Sequence, residues 1–217
     1  MSDRSVGRPA RGPVAKPRTP RSPAARRRQQ DILNIATDTF AARGYHNASL
    51  AEIADRAGLT QAGVLHYFRS KALLLTSVLE RRDQGDIEQL GTERPQGLDF
   101  LRHLVDTALR NAEREGIVRL YAVLSAESVT DDHPAQPYFR DRYTGLRTFV
   151  TDALTAACDL GEADAARAHD AANAIIAVMD GLQVQWLLDP DSVAMAASTD
   201  LVITSLLATL APGRFSS

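Results

Sequence analysis

A chain of 217 residues with 44% apolar and 24% charged residues has the composition of an ordinary globular protein, with room for one large domain or two small ones. Its net charge of −2 conceals a split: residues 1–28 carry nine Arg or Lys against one Asp (+8), and the remainder sixteen basic against twenty-six acidic residues (−10). An acidic body with a basic leader suggests that only one end of the molecule meets a polyanion.

The single cysteine, Cys158, rules out an internal disulfide framework and fits a reducing compartment as a small buried apolar residue. No uninterrupted apolar run approaches about 18 residues and no secretory signal is visible, so a soluble, cytoplasmic protein without membrane contact is expected. Phosphate-cradling glycine motifs, metal-spaced His/Cys sets and Gly-x-Ser-x-Gly elbows are missing. The five histidines, at 46, 66, 103, 133 and 169, are scattered, and Asp131-Asp132-His133 reads as a solvated turn. The expectation is therefore a protein without catalytic residues, metal site or cofactor, and not an enzyme.

Residues 1–22 mix Arg, Lys, Pro, Ser and Gly with almost nothing to bury and read as a disordered basic arm, either a solvated tail or an electrostatic arm that lies along phosphates or dips into a minor groove. Ser22-Pro23 reads as N-cap and first position of a helix running to about Arg43, with Ile32, Leu33, Ala36, Thr39 and Phe40 as its apolar stripe and Gly44 as its stop. Arg26, Arg27 and Arg28 in its first turns oppose the helix dipole, a conflict that an external anion would relieve.

Ser49 followed three residues later by Glu52 is a capping box, so a second helix starts at Leu50, and Gly58 ends it. Thr60 then caps a short third helix, Gln61 to Phe68, after a tight turn. This is a helix-turn-helix over Ser49 to Lys71, whose second helix projects its N-terminal side chains outward, as entry into a DNA major groove requires. Gln61 can bond both N6 and N7 of adenine, Ala62 can touch a thymine methyl, and Gly63 lets backbone approach the groove. Tyr67 and His66 offer polar groups to phosphate. Lys71 stands in the first turn of a fourth helix, where its ammonium and free helix amides can meet the same anion.

Phe40-Ala41-Ala42-Arg43-Gly44-Tyr45, Ala48-Ser49, Ile53-Ala54, Ala57-Gly58 and His66-Tyr67-Phe68-Arg69-Ser70-Lys71 with Leu73-Leu74 make Ile32 to Leu75 resemble the N-terminal domain of TetR-type transcriptional regulators. The resemblance implies a three-helix DNA-binding head over residues 23–69. It would put Ser49, Tyr67 and Lys71 on phosphates, and Thr60, Gln61, Ala62 and Gly63 near base edges. Leu65 departs from the pattern, standing where the family commonly has tyrosine.

From residue 70 onward only helical periodicity is legible. Helices are expected at about Ser70 to Asp86, Leu98 to Glu115, Ile117 to Val129, Gln136 to Leu160, Glu162 to Leu188 and Ser192 to Leu210, separated by proline and glycine breaks. The fold class is all-α, with residues 70–217 as a helical effector-binding and dimerisation body. The resemblance implies that the last two helices pair with their copies as a four-helix bundle, and two recognition helices about 34 Å apart would match one turn of a palindromic operator on double-stranded DNA. Met179 to Trp186 resembles a late-helix segment of the same family.

Polar residues at helical spacing among apolar ones are the candidates for a small-molecule site: His103 with Thr107; Tyr121 with Leu124 and Ser128; Tyr143 with Arg147; Met179 with Gln183 and Trp186. The function expected is a homodimeric repressor released from a palindromic operator by a small-molecule effector; a regulator or activator that responds to no effector would share the same head.

Overall fold

The computed structural model describes residues 22–89, 95–161 and 164–215, and among them every regular element is a helix. These are α1 Pro23–Asn47, α2 Leu50–Arg56, α3 Gln61–Tyr67, α4 Lys71–Gln89, α5 Gly97–Asn111, α6 Glu115–Glu127, α7 Gln136–Cys158, α8 Ala165–Leu188 and α9 Met195–Leu210. The basic arm expected at 1–22, apart from Ser22, and the helix start expected at Glu162 lie outside the described residues.

Local signals set the head. Ser22 Oγ accepts the Ala25 amide at 3.2 Å with Pro23 behind it, so α1 begins where its sequence allows a missing donor. Ser49 Oγ accepts the Glu52 amide at 3.0 Å, but the reciprocal half of the capping box is diverted: the Glu52 carboxylate pairs with Arg43 Nε at 2.9 Å and ties α2 to α1. Gly58, at φ 63°, closes α2 in a Schellman arrangement, with the Leu59 amide on Ala54 O at 2.9 Å and the Gly58 amide on Asp55 O at 3.1 Å. Arg28 Nη1 reaches the Ala57 carbonyl at 3.3 Å, so one of the three clustered arginines serves the C-terminal end of α2.

The core of the head does not stop at residue 69. Ile32, Ala36, Phe40, Ile53, Val64 and Phe68 pack with Leu74, Leu75, Val78 and Leu79 of α4, and the same cluster continues into Leu120, Tyr121 and Leu124 of α6 and Phe139 of α7. A second core joins α5, α7, α8 and α9 through residues such as Leu101, Val150, Leu154, Ile175, Ile203 and Leu207. A smaller one sets Trp186 against Ala108, Val118 and Met195. Helix α8, with a mean hydropathy of 1.3 over 18 residues, is long and apolar enough by length and composition alone to cross a membrane. It packs instead against α6, α7 and α9, and carries Asp180 and the buried Gln183 in its middle.

Head and body meet where α1 breaks. Gly44 adopts φ 70° and ψ 179°, a region essentially closed to side chains, and the chain beyond it turns under the last residue of α6. Glu127 Oε2 accepts the Tyr45 amide at 2.6 Å, and a Cβ at residue 44 would overlap this carboxylate. His133 lies beside it, 2% exposed, with its ring centroid 5.2 Å from Tyr45 and 5.4 Å from His46. Its Nδ1 accepts the Ala135 amide at 3.2 Å, and burial holds its pKa below the ordinary value, so the imidazole is neutral at pH 7. The turn expected at Asp131-Asp132-His133 is therefore solvated at the two aspartates and buried at the histidine.

Replacing Gly44 by Ala is expected to destabilise the protein by at least about 1–3 kcal/mol from backbone strain alone. Steric displacement of Glu127 adds to this, whereas Glu127→Gln, which keeps an acceptor, loses less. Urea unfolding of the two variants checks both, and an unchanged midpoint for Gly44→Ala rules out the seating of Glu127 on this turn.

Candidate functional site

The recognition face is built from two caps. Thr60 Oγ1 accepts the Gly63 amide at 3.1 Å and Thr60 O accepts the Val64 amide at 3.1 Å, which starts α3 with its first side chains turned out. Val64 and Phe68 are buried; Gln61, Ala62, Leu65 and His66 are exposed, and Gly63 and Tyr67 half-exposed. Ser49 and Thr60 each use an oxygen lone pair in a cap, so each hydroxyl retains a hydrogen to donate to phosphate. Tyr67 rests its ring on the head's core and meets His66 edge to face, with centroids 5.5 Å apart.

Lys71 is more committed than its sequence position suggested. Its Nζ donates to His46 O at 3.3 Å and sits 4.5 Å from the Tyr45 ring centroid. Burial lowers its pKa, opposed by the Glu127 carboxylate. The ammonium thus belongs to the same junction as Glu127, and a phosphate reaching it would compete with these contacts.

Leu65, 36% exposed, adds an apolar contact on the outward face of α3, one turn from Ala62. The sequence flagged it only as a departure from a pattern. Nothing inside the protein calls for glycine at 63: a Cβ there would find Leu59 Cβ and Thr60 Oγ1 at 3.5 Å, ordinary contacts. The cost of a helical glycine, about 1 kcal/mol against alanine, is thus left without an internal reason among the described residues.

Within the body, α4, α5 and α7 enclose a cavity of about 1250 Å³. Leu73, Phe100, Leu104, Leu146 and Phe149 supply much of its apolar wall; Phe100 lies 6.3 Å from Phe149 and 6.4 Å from His103 between ring centroids. Its α4 wall carries a dense ion-pair cluster. Asp83 receives Arg82 at 3.2 Å, Arg142 at 2.6 Å and the Tyr138 hydroxyl at 2.7 Å. Asp86 receives Arg82 at 3.2 Å, Arg114 at 3.7 Å and Arg142 at 3.8 Å. Burial and its placement against Asp83 raise the Tyr138 pKa, so the phenol stays a donor. Among α5 residues, Thr107 Oγ1 donates to His103 O at 2.8 Å and accepts Arg110 Nη2 at 2.7 Å. Burial and then the Arg110 charge push the His103 pKa down, so this ring is neutral at pH 7.

The ten residues expected to form a ligand site do not converge. His103 and Thr107 line the large cavity. Tyr121, Ser128, Tyr143 and Gln183 face a separate depression of about 530 Å³ between α6, α7 and α8. There Tyr143 donates to Asp180 Oδ2 at 2.6 Å, and burial raises both groups' pKa. Tyr121 is pinned, its ring under the Arg82 and Arg142 guanidinium carbons at 4.6 and 5.2 Å. Leu124 is fully buried in the core shared by head and body, Met179 packs on the second core and Trp186 on the third, so all three are spent on packing. Arg147 bonds Thr144 within α7 at 3.2 Å and lines neither space. Phe100, Arg110, Tyr138, Arg142, Leu146 and Phe149 were missed, although extending the His103–Thr107 spacing along α5 would have reached Phe100 and Arg110.

Two family models match the chain: bacterial regulatory proteins, tetR family, over residues 32–78, and the C-terminal region of BetI-type transcriptional repressors over residues 98–211. The chain is 27% identical over 188 residues to the HTH-type transcriptional regulator TtgR of Pseudomonas putida, covering 81% of this chain and 88% of that protein. To the transcriptional activator FasR of Mycolicibacterium smegmatis it is 40% identical over 78 residues, covering 36% of this chain and 34% of that one. Two solved structures share the fold. A transcriptional regulator of Rhodococcus sp. Rha1 has TM-score 0.68 at 20% identity, covering 83% of this chain and 96% of that one. SmeT, described as the repressor of the Stenotrophomonas maltophilia multidrug efflux pump SmeDEF, has TM-score 0.66 at 21% identity, covering 87% and 93%.

Gly63→Ala separates folding from binding at the recognition face. The variant is expected to gain up to about 1 kcal/mol of stability while binding DNA more weakly. Denaturant midpoints and gel-shift titrations of the same preparation check this, and an unweakened DNA complex removes Gly63 from the interface.

Proposed function

The chain belongs to the tetR family of bacterial regulatory proteins and acts as a DNA-binding transcriptional regulator, and on that footing we propose that it is a homodimeric repressor released from a palindromic operator when a small molecule enters the α4–α5–α7 cavity. One observation carries this reading: α4 has two working faces. Leu74, Leu75, Val78 and Leu79 are buried in the core of the head, while Ala72, Leu73, Thr76, Glu80, Asp83 and Asp86 of the same helix line the cavity. A guest that favours one position of α4 over another therefore acts directly on the helix that carries the head.

In the proposed complex Gln61 and Ala62 read base edges, Gly63 admits the groove, and Ser49, Thr60, His66, Tyr67 and Lys71 hold phosphates. His103 and Thr107 of the proposed ligand set contact the effector. Val184, Leu188 and Leu201, 49%, 82% and 67% exposed on α8 and α9, fit burial against the same helices of a second copy, which would pair the two heads. Regulation requires that the effector bind the released state more tightly than the DNA-bound one, since equal affinity shifts nothing.

Titration of DNA from upstream of the gene is expected to give saturable binding at a palindrome with half-sites about one helical turn apart. Gln61→Ala should relax preference at one base pair by about 1–3 kcal/mol, whereas Tyr67→Phe should weaken all sites alike. Binding-site selection with each variant checks the assignment; uniform weakening from Gln61→Ala, or the lack of any saturable site, would overturn it.

A further inference from the structure

Resting on the reading of the large cavity as the effector site, we propose that its effector is an amphipathic organic anion: an apolar body carrying one carboxylate-like group that pairs with Arg110. The charges around the cavity decide the sign. Five carboxylates line it, Glu80, Asp83, Asp86, Asp141 and Asp152, which would suggest a cationic guest if they were equally available. They are not. Asp83 and Asp86 are already held by Arg82, Arg114 and Arg142, with the Tyr138 hydroxyl as a further donor to Asp83. Glu80, Asp141 and Asp152 are exposed, where water and salt screen them.

Arg110 is the cation left over. It lines the cavity, and among the described side chains no carboxylate lies within 4.0 Å of it. Its Nη2 is fixed on Thr107 Oγ1 at 2.7 Å, and Thr107 is itself anchored on His103 O at 2.8 Å, so the guanidinium is oriented before a guest arrives. Its Nε is buried without a partner, a sign that the surrounding groups do not complete its hydrogen bonding. The neutral His103 beside it adds no competing cation, and the nearest acid on its own helix, Asp106, is exposed. An anion meeting a half-buried, pre-positioned guanidinium gains a charge-assisted bond that a neutral or cationic analogue lacks. The apolar walls, with Phe100, Leu104, Leu146 and Phe149, then take the rest of the guest.

The test uses the full chain and three probes with one tail: decanoate, decanol and decyltrimethylammonium, each kept below micelle formation. Affinity is read by calorimetry and by thermal shift, since a guest stabilises the state it binds, and operator occupancy is read in parallel. Decanoate is expected to bind best, and Arg110→Gln to weaken decanoate by about 10- to 100-fold while leaving decanol affinity unaltered. Arg110→Lys, which keeps the charge, should recover part of the loss. Tighter binding of the ammonium probe, equal decanoate affinity in Arg110→Gln, or binding of none of the probes overturns the proposal. Arg110-dependent decanoate binding with no change in operator occupancy supports the anion site and fails the effector reading, so the two are told apart.

Discussion

Where α1 breaks at Gly44, the Tyr45 amide finds its acceptor in another part of the chain, the Glu127 carboxylate at the end of α6, at 2.6 Å. A charged acceptor on a backbone amide is stronger than a neutral pair, and its geometry is demanding. It needs the positive φ of Gly44, the empty space where a Cβ would stand, and α6 packed against α1 so that its last residue arrives at the break. The fully buried Leu120 and Leu124 of α6 supply that packing within the core of the head. Lys71 closes the circle: it is held on His46 O and the Tyr45 ring within reach of Glu127's field, so the junction that fixes the head also fixes a residue assigned to phosphate.

The head thus hangs from the body at two places of different character. At the α1–α6 contact the attachment is close-packed and capped by one charged hydrogen bond, a poor candidate for easy movement. Along α4 it is half apolar and half ionic. Five ion pairs gather three guanidiniums on two carboxylates, with Arg82 and Arg142 stacked over Tyr121. Such a cluster is expensive to take from water and stabilises only while its geometry is intact. Its five pairings span 2.6 to 3.8 Å, so the two carboxylates share three guanidiniums and do not form isolated pairs. The cavity lies on that side, so a guest of the proposed kind would meet the ionic attachment and not the close-packed one.

What could be read from the sequence follows from how local each cause is. The caps at Ser22, Ser49 and Thr60 and the stops at Gly44 and Gly58 depend on neighbours within a few residues, and the structure has each of them. Where a distant residue intervened, local reasoning went astray: Glu52 was assigned to the Ser49 amide, and Arg43 from the preceding helix took its carboxylate. The body helices follow from periodicity and proline, but periodicity names a face and not the face's neighbour. Tyr121, Leu124 and Ser128 share helical spacing, yet Leu124 seals the junction while Tyr121 and Ser128 border a different space from His103 and Thr107. Arg110, Arg142 and Asp83 carry no local mark in the sequence, and Asp86 reads only as a helix end, because only the assembled α4, α5 and α7 show which of them are paired.

The recognition face also looks different once its neighbours are known. Of the residues assigned to DNA, Ser49 and Thr60 start helices and Lys71 braces the junction, so each serves the fold before it meets a phosphate. Gln61, Ala62, Gly63 and His66 have no such duty, and only Gln61 and His66 among them carry polar side chains; Leu65 beside them is an exposed apolar residue. If this face meets DNA as proposed, so few hydrogen-bonding readers leave close backbone approach and apolar contact with thymine methyls to share the discrimination. Close approach depends on the angle of α3, which depends on the head being held rigidly. Under the proposed reading, loosening the Glu127 seat would degrade discrimination between sites before abolishing binding, because phosphate contacts tolerate a tilt that base-edge contacts do not.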